Sequence, residues 1–257
     1  MKLDKGQQIL KVKNNNFKKK LLIILAVVLL LAATAFARLA SYVNGYYEAT
    51  SRALNYVTQP AEGVTVERDG LNIRFLPEHP KAGIVFYPGA LVETEAYAPV
   101  MEQLAENGIE CVIVGMPHYL ALLNPKGAKG IVDNCPEVHD WYLSGHSLGG
   151  VMASWFAHFH SEDYKGIILM ASYSVRDLTD TDLDVLLLRG SKDTVLNIET
   201  YNKNLSNLPS DYTEIIIDGG CHAFFGDYGQ QKGDGKPTLT VQEQNEIVVR
   251  DILDFID

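Results

Sequence analysis

The sequence predicts an α/β fold, one main domain built on a mostly parallel sheet with helices on both faces, and three observations carry that expectation. Short apolar runs alternate with helix-like segments from residue 61 to the C-terminus, as repeated strand–helix units require. The runs "IVFY", "CVIVG", "GIILMAS" and "DVLLL" are continuously apolar, which is how strands covered on both faces read. Finally, "DWYLSGHSLGG" followed by "VMASWFAHF" passes from strand to helix through glycines that flank a serine, a poor device for packing and a good one for presenting a hydroxyl. At 257 residues and 47% hydrophobic, the chain is long enough for one well-buried core.

The first 37 residues stand apart. A lysine-rich segment, 1–20, ends in "FKKK" and gives way to the uncharged run "LLIILAVVLLLAATAFA" over 21–37. That run is at the short end for a membrane-spanning helix and long for the apolar part of a cleaved signal peptide. An uncleaved transmembrane anchor is the expectation. A signal peptide cut at Ala33-Thr34-Ala35 or Ala35-Phe36-Ala37 is the alternative. Lys18, Lys19 and Lys20 on one flank against Arg38 on the other place the N-terminus in the cytoplasm and the remainder outside. Residues 38–60 read as an amphipathic helical stalk ending near Pro60, and 61–257 as the catalytic domain.

Within that domain the order is "VTVE" and "LNIRFL" as strands, a turn at "PEHPKAG", and the strand "IVFY" from Ile84 to Tyr87. A helix over "AYAPVMEQLAENG" closes at Gly108, a C-cap glycine. Next come the strand "CVIVG", a loop and short helix across "LLNPKGAKGIVDN", the strand "WYLSG" and the helix from Ser147. The strands "GIILMAS" and "DVLLL", the helix "IETYNKNLSNL", the strand "TEIIID" and a final helix opened by Thr240 and Glu243 as a capping box complete the chain. The stretch "GDYGQQKGDGKP", 226–237, reads as a long loop; Asp227 and Asp234 within it lack the ligand spacing and terminal Glu of a calcium loop.

Charge excludes one function class. Of 22 basic and 32 acidic residues, seven lysines and one acid fall in 1–37, leaving 15 basic against 31 acidic side chains beyond. A domain so acidic lacks the cationic footprint that nucleic acid demands. Cys111, Cys135 and Cys221 form no CxxC pair, so neither a zinc site nor a disulfide framework is indicated.

The chemistry is concentrated in four loops. Gly145-His146-Ser147-Leu148-Gly149 fits G-x-S-x-G with a strand before it and a helix after it, making Ser147 the candidate nucleophile. A serine hydroxyl needs a histidine to take its proton and a carboxylate to orient that histidine, in the chain order serine, acid, histidine. Asp193 follows the strand "VLLL", whereas Asp180, Asp182 and Asp184 precede it, at the end of a parallel strand where ligands do not bind. Asp218 is the second choice of acid. His222, after the last strand, is the candidate base. His158 and His160 point in different directions on one helix; His79 and His139 lie in turns; His118 fits a surface loop as well as the site; His146 reads as packing within the elbow. For the oxyanion, the N–H of Leu148 and an N–H of the loop Pro88-Gly89-Ala90-Leu91, with Ala90 foremost, are the expected donors.

Together "YPGA", "GHSLGG", "RGSKDTV" and "GGCHAFFGDYG" resemble the α/β-hydrolase superfamily, in its compact dienelactone-hydrolase-like branch, which is often found on bacterial chains with one N-terminal hydrophobic segment. The resemblance covers roughly 61–257 and implies a Ser-His-Asp esterase-type site on Ser147, Asp193 and His222, with no metal or organic cofactor. Two positions depart from it. Dienelactone hydrolases proper carry cysteine where Ser147 stands, and the usual His-Gly oxyanion loop is here Pro88-Gly89.

The expected function is therefore membrane-tethered hydrolysis of small carboxylic esters. Acyl transfer by the same triad and a catalytically silent binding protein are the alternatives. Only "SYSVRDLTDTDLD" separates the strand after the nucleophile helix from the next, too little for a mobile lid. An open, shallow site is thus expected, walled by Tyr87, Tyr97, Phe224 and the loop from Gly226, with a preference for short acyl chains.

Overall fold

The structure, a computed structural model, describes residues 19–35, 37–38 and 45–257. The basic segment up to residue 18, Phe36 within one of the two alternative cleavage sites and residues 39–44 of the expected stalk lie outside the described residues. The chain divides into two compact units, Met1–Gly45 and Tyr46–Asp257. In the first, residues 19–35 are helical and present Leu21 to Leu25 and Val27 to Leu31 largely to the outside. Among the described residues no helix is long and apolar enough to cross a membrane.

The second unit opens with an extended stretch and helix α1 (Ser51–Thr58), followed by β1 (Val64–Asp69), β2 (Asn72–Pro77), β3 (Ala82–Tyr87), α2 (Ala98–Glu106), β4 (Ile109–Ile113) and β5 (Trp141–His146). Then come α3 (Leu148–Ala157), β6 (Gly166–Met170), β7 (Asp184–Gly190), α4 (Ile198–Asn204), β8 (Tyr212–Ile217) and α5 (Val241–Ile256). The eight strands form one sheet in the order β1-β2-β4-β3-β5-β6-β7-β8. β2 is antiparallel to both its neighbours and every pairing from β4 onward is parallel. This is the α/β-hydrolase fold, and among the described residues no lid is inserted in it.

Burial explains the sequence pattern. β3, β4, β5 and β6 are buried at every residue, while β1 and β8, on the edges, are mostly exposed or half-buried. Because side chains alternate across a strand, β3 feeds two cores. Ile84 and Phe86 join Val100, Met101, Leu104, Val248 and Ile252 of α2 and α5 on one face. Val85 and Tyr87 join Ala153 and Phe156 of α3, with Trp141 and Tyr201, on the other. The capping box at Thr240 and Glu243 is present: Thr240 Oγ1 accepts from Glu243 N–H at 3.2 Å, and Glu243 Oε2 accepts from Thr240 N–H at 2.7 Å. Cys111, Cys135 and Cys221 are buried free thiols.

Two expected elements differ. The short helix over 122–134 is replaced by 3-10 turns at Ala121–Leu123 and Val132–Asn134, since Pro125 and the glycines at 127 and 130 interrupt any longer run. The stalk over 38–60 is not uniformly helical. Residues 45–50 carry no regular element apart from a bridge of Tyr47 to Val92, and among the described residues of the stretch only 38 and 51–58 are helical, with Ala53 fully buried. The second compact unit starts at Tyr46.

Candidate active site

The site forms where β5 turns into α3. Ser147 has φ 53° and ψ −124°, a region that an L-residue enters only when its surroundings enforce it. They do so here. Ser147 N–H donates to Met170 O at 2.9 Å, and its carbonyl accepts from Val151 N–H at 3.2 Å and from the Ser172 hydroxyl at 2.7 Å. The flanking glycines are steric requirements. A Cβ on Gly145 would lie 2.6 Å from Gly150 N, and one on Gly149 2.1 Å from Tyr87 O.

Asp193 and His222 meet behind this elbow. Asp193 Oδ1 accepts from the N–H groups of Val195 and Leu196, each at 2.8 Å, and Oδ2 accepts from His222 Nδ1 at 2.8 Å. Both side chains are 2% exposed. A carboxylate can only accept, so the imidazole proton sits on Nδ1 and Nε2 is left as the basic nitrogen. Asp218 instead accepts from the Ser191 hydroxyl at 3.1 Å. Ser147 and His222 line the same pocket, of about 240 Å³, with Leu148, Val151, Ala171, Ser172, Tyr173, Val195, Leu196 and Asn197.

The expected donors fall unevenly. Leu148 lines the pocket at the first turn of α3, and the N–H groups of both Leu148 and Ala90 have no acceptor among the described residues. Ala90 itself is not among the pocket-lining residues. The expected walls Tyr87 and Tyr97 are corrected by the structure, because both are 0% exposed. Tyr87, last on β3, points into the α3-side core, where its hydroxyl accepts from Ala128 N–H at 2.9 Å. Tyr97 packs on Phe86 with ring centroids 4.7 Å apart, and its hydroxyl accepts from Gly89 N–H at 3.0 Å. Phe224 packs against the α2–α5 core and is likewise absent from the pocket wall. The walls come instead from the ends of β6 and β7. The rule that parallel sheets bind ligands at carboxyl ends of strands singles out 171–173 and 195–197 without naming the side chains that face inward.

Sequence reasoning placed His146 as packing, and the structure gives it a polar partner as well. It is 1% exposed, its ring lies 4.6 Å from that of His222, and Nδ1 is 2.9 Å from the Tyr97 hydroxyl. Burial first, and the neighbouring His222 second, push its pKa well below the usual histidine range, so it stays neutral. Burial also pushes the Tyr97 phenol up, and a protonated phenol that accepts from Gly89 donates its own proton to Nδ1. A chain of hydrogen bonds therefore runs from the Gly89 backbone through Tyr97 to the residue beside the elbow.

Both acids of the 226–237 loop are committed to protein donors. Asp227 pairs with Arg52 at 2.8 Å, and Asp234 accepts from Ala223 N–H at 2.9 Å. Away from the pocket, Glu110, Cys135 and Glu137 bring potential metal-ligating atoms together. The Arg74 guanidinium already meets Glu110 at 2.6 Å and Cys135 Sγ at 2.9 Å, so a cation is present there as a side chain.

The sequence profile described as "Alpha/beta hydrolase family" matches residues 83–246, more than half of the chain. No curated protein matches the sequence. Among solved structures, the chain is similar to a predicted CIB-like hydrolase from Thermoplasma acidophilum, at 17% identity and TM-score 0.57, over 75% of this chain and 98% of that one. It is also similar to Est1E from Butyrivibrio proteoclasticus, at 17% identity and TM-score 0.54, over 76% and 99%. Similarity to a dienelactone hydrolase from Anabaena variabilis is 14% in identity with TM-score 0.56, over 76% and 100%.

Proposed function

The chain belongs to the alpha/beta hydrolase family, and from that premise we propose that it is a serine hydrolase of small carboxylic esters, working through an acyl-enzyme on Ser147. The observation that carries the reading is the buried His222–Asp193 pair at 2.8 Å, set behind a pocket that His222 shares with Ser147. In the first half-reaction, His222 Nε2 takes the proton from Ser147 Oγ as the oxygen attacks the ester carbonyl. The oxyanion is met by Leu148 N–H and Ala90 N–H. Collapse expels the alcohol, which takes the proton from His222. Water then repeats the sequence on the acyl-enzyme, releasing the acid and restoring the serine. Asp193 keeps its charge throughout and stabilises the imidazolium.

Pocket size supports short substrates. About 240 Å³ between Val151, Tyr173, Val195 and Leu196 is below the range of pockets that enclose drug-sized ligands. Acyl chains of roughly two to four carbons should be preferred, because each methylene that extends beyond so small a pocket gains little of the usual ~0.8 kcal/mol. A fluorophosphonate probe should label wild-type chain and not Ser147→Ala, and Ser147→Ala should lose at least about a thousandfold in p-nitrophenyl acetate hydrolysis. An unlabelled wild type would leave the fold without this chemistry, and a rate profile peaking at long acyl chains would contradict the size reading.

The apolar run 21–37 supports a tether with the catalytic unit outside the cytoplasm, on the strength of the lysines that precede it. The full chain should sediment with membranes and be cut by protease added outside intact cells. A soluble product starting at Phe36 or Arg38 would show a cleaved signal peptide instead.

A further inference from the structure

The segment between the N-terminal unit and β1 lies wholly before residue 83, where the family match begins, yet it is bonded to the loop expected to supply an oxyanion donor and to the loop that carries His222. On one side, Tyr47 N–H donates to Leu91 O at 2.7 Å and Tyr47 O accepts from Glu93 N–H at 2.9 Å. Glu93 Oε2 in turn accepts from Ala49 N–H at 2.8 Å. Leu91 directly follows Ala90, the expected oxyanion donor, and Glu93 lies three positions after it. On the other side, Thr50 N–H donates to Asp227 O at 2.9 Å. Arg52 Nε meets Asp227 Oδ2 at 2.8 Å, and its Nη2 meets Asn245 Oδ1 at 3.2 Å. Asn245 Nδ2 closes the circuit by donating to Phe224 O at 2.8 Å, two residues after His222. The Asp227 side chain is 5% exposed, so its charge relies on Arg52 for compensation.

We infer that residues 46–53 form a strap whose role is to position the catalytic loops, with Arg52 as its principal positioning residue: it fixes the Gly89–Glu93 turn and the His222–Asp227 loop relative to each other. Donor and base must be held within a fraction of an ångström of the geometry the tetrahedral intermediate requires. The two segments follow different strands, β3 and β8, so a third element bonded to both reduces their freedom to move apart. The strap touches no reacting atom. Its effect is read in the efficiency of the formed site.

The turnover test rests on the serine-hydrolase reading, and a second readout that needs no activity keeps the two separable. Arg52→Ala and Arg52→Lys are made in the full chain, with Lys81→Ala as the control, which removes the exposed Lys81–Asp257 pair at 2.8 Å. Turnover is counted per Ser147 titrated with a fluorophosphonate, and amide hydrogen exchange is followed over 88–93 and 222–228. Arg52→Ala should lower kcat per titrated site by about tenfold with KM for p-nitrophenyl acetate little changed and speed exchange in both segments. Arg52→Lys should recover most of the rate, and Lys81→Ala should alter neither readout. Where Arg52→Ala gives no folded protein, Glu93→Ala, which removes only the acceptor for Ala49 N–H, is read in the same way. Unchanged turnover per site with unchanged exchange overturns the strap. A wild type that does not titrate overturns the hydrolase reading instead, and the exchange data alone then decide: faster in both segments upholds the strap, unchanged refutes it.

Discussion

The two ends of the parallel strands are built by different rules. Among the described residues, every non-glycine with positive φ lies in a connection leaving a carboxyl end: Leu91 after β3, His118 and Tyr119 after β4, Ser147 after β5 and Ala171 after β6. Turns leading into the amino ends use ordinary backbone or glycine, as at Gly108 with φ 84° before β4. A side chain held in the left-handed region costs on the order of 1–3 kcal/mol and persists only where its surroundings over-determine it. The difference teaches that one end of the sheet is optimised for closing turns and the other for placing particular atoms. Local strain is tolerated where the pocket forms.

The sharpest way to break this contrast is Ser147→Gly. It removes the nucleophile and should cut ester hydrolysis by at least about a thousandfold. It should also raise unfolding free energy by about 1 kcal/mol, because glycine adopts φ 53° without strain. Denaturant midpoints measured beside rates decide it, and a destabilised Ser147→Gly would mean that the elbow holds no strain to release. Next in size is Gly149→Ala. Its Cβ would stand 2.1 Å from Tyr87 O, a backbone atom that cannot swing aside. It should lose about 2 kcal/mol or more of stability, together with most of its turnover per folded molecule. The matching change at the amino end, Gly108→Ala, has its nearest neighbour at 3.4 Å. It should cost only about 1 kcal/mol from the positive φ and leave turnover per titrated site at the wild-type value. Should Gly108→Ala impair turnover as Gly149→Ala does, the two ends are not separate.

The smallest effect is a pH dependence. His146 is buried with its pKa lowered, so below about pH 6.5 the unfolded chain takes up a proton that the folded chain refuses. The stability it contributes is complete above that pH and is lost as pH falls toward the depressed folded value. His146→Gln, which keeps an acceptor for the Tyr97 hydroxyl, should flatten the fall in denaturation midpoint between about pH 6.5 and pH 5. Parallel slopes in variant and wild type would show that the imidazole titrates alike in both states.

The apolar runs revealed the strands because burial on both faces leaves no polar alternation to confuse them. The elbow was visible because tight turning demands glycine at fixed offsets from Ser147. Tyr87 is not a wall of the pocket for a related reason: nearness to a strand's carboxyl end is a property of the backbone, whereas facing the pocket depends on which side of the sheet a side chain leaves. Tyr87 leaves on the α3 side. The strap was invisible for want of any local signal. Arg52 and Asp227 are 175 positions apart, and neither residue's neighbours in sequence announce the other.

The buried thiols have a practical consequence. Burial holds Cys111 protonated, raises Cys135 to about 11 and raises Cys221 to about 12, and a protonated, enclosed thiol is a poor nucleophile toward alkylating reagents. Natural cysteines therefore need not be removed before a reporter is attached. Gln230→Cys, at an exposed position of the loop that follows His222, would offer maleimide a single accessible sulfur, and a fluorophore placed there would report the movement of the histidine side of the pocket in an otherwise native chain.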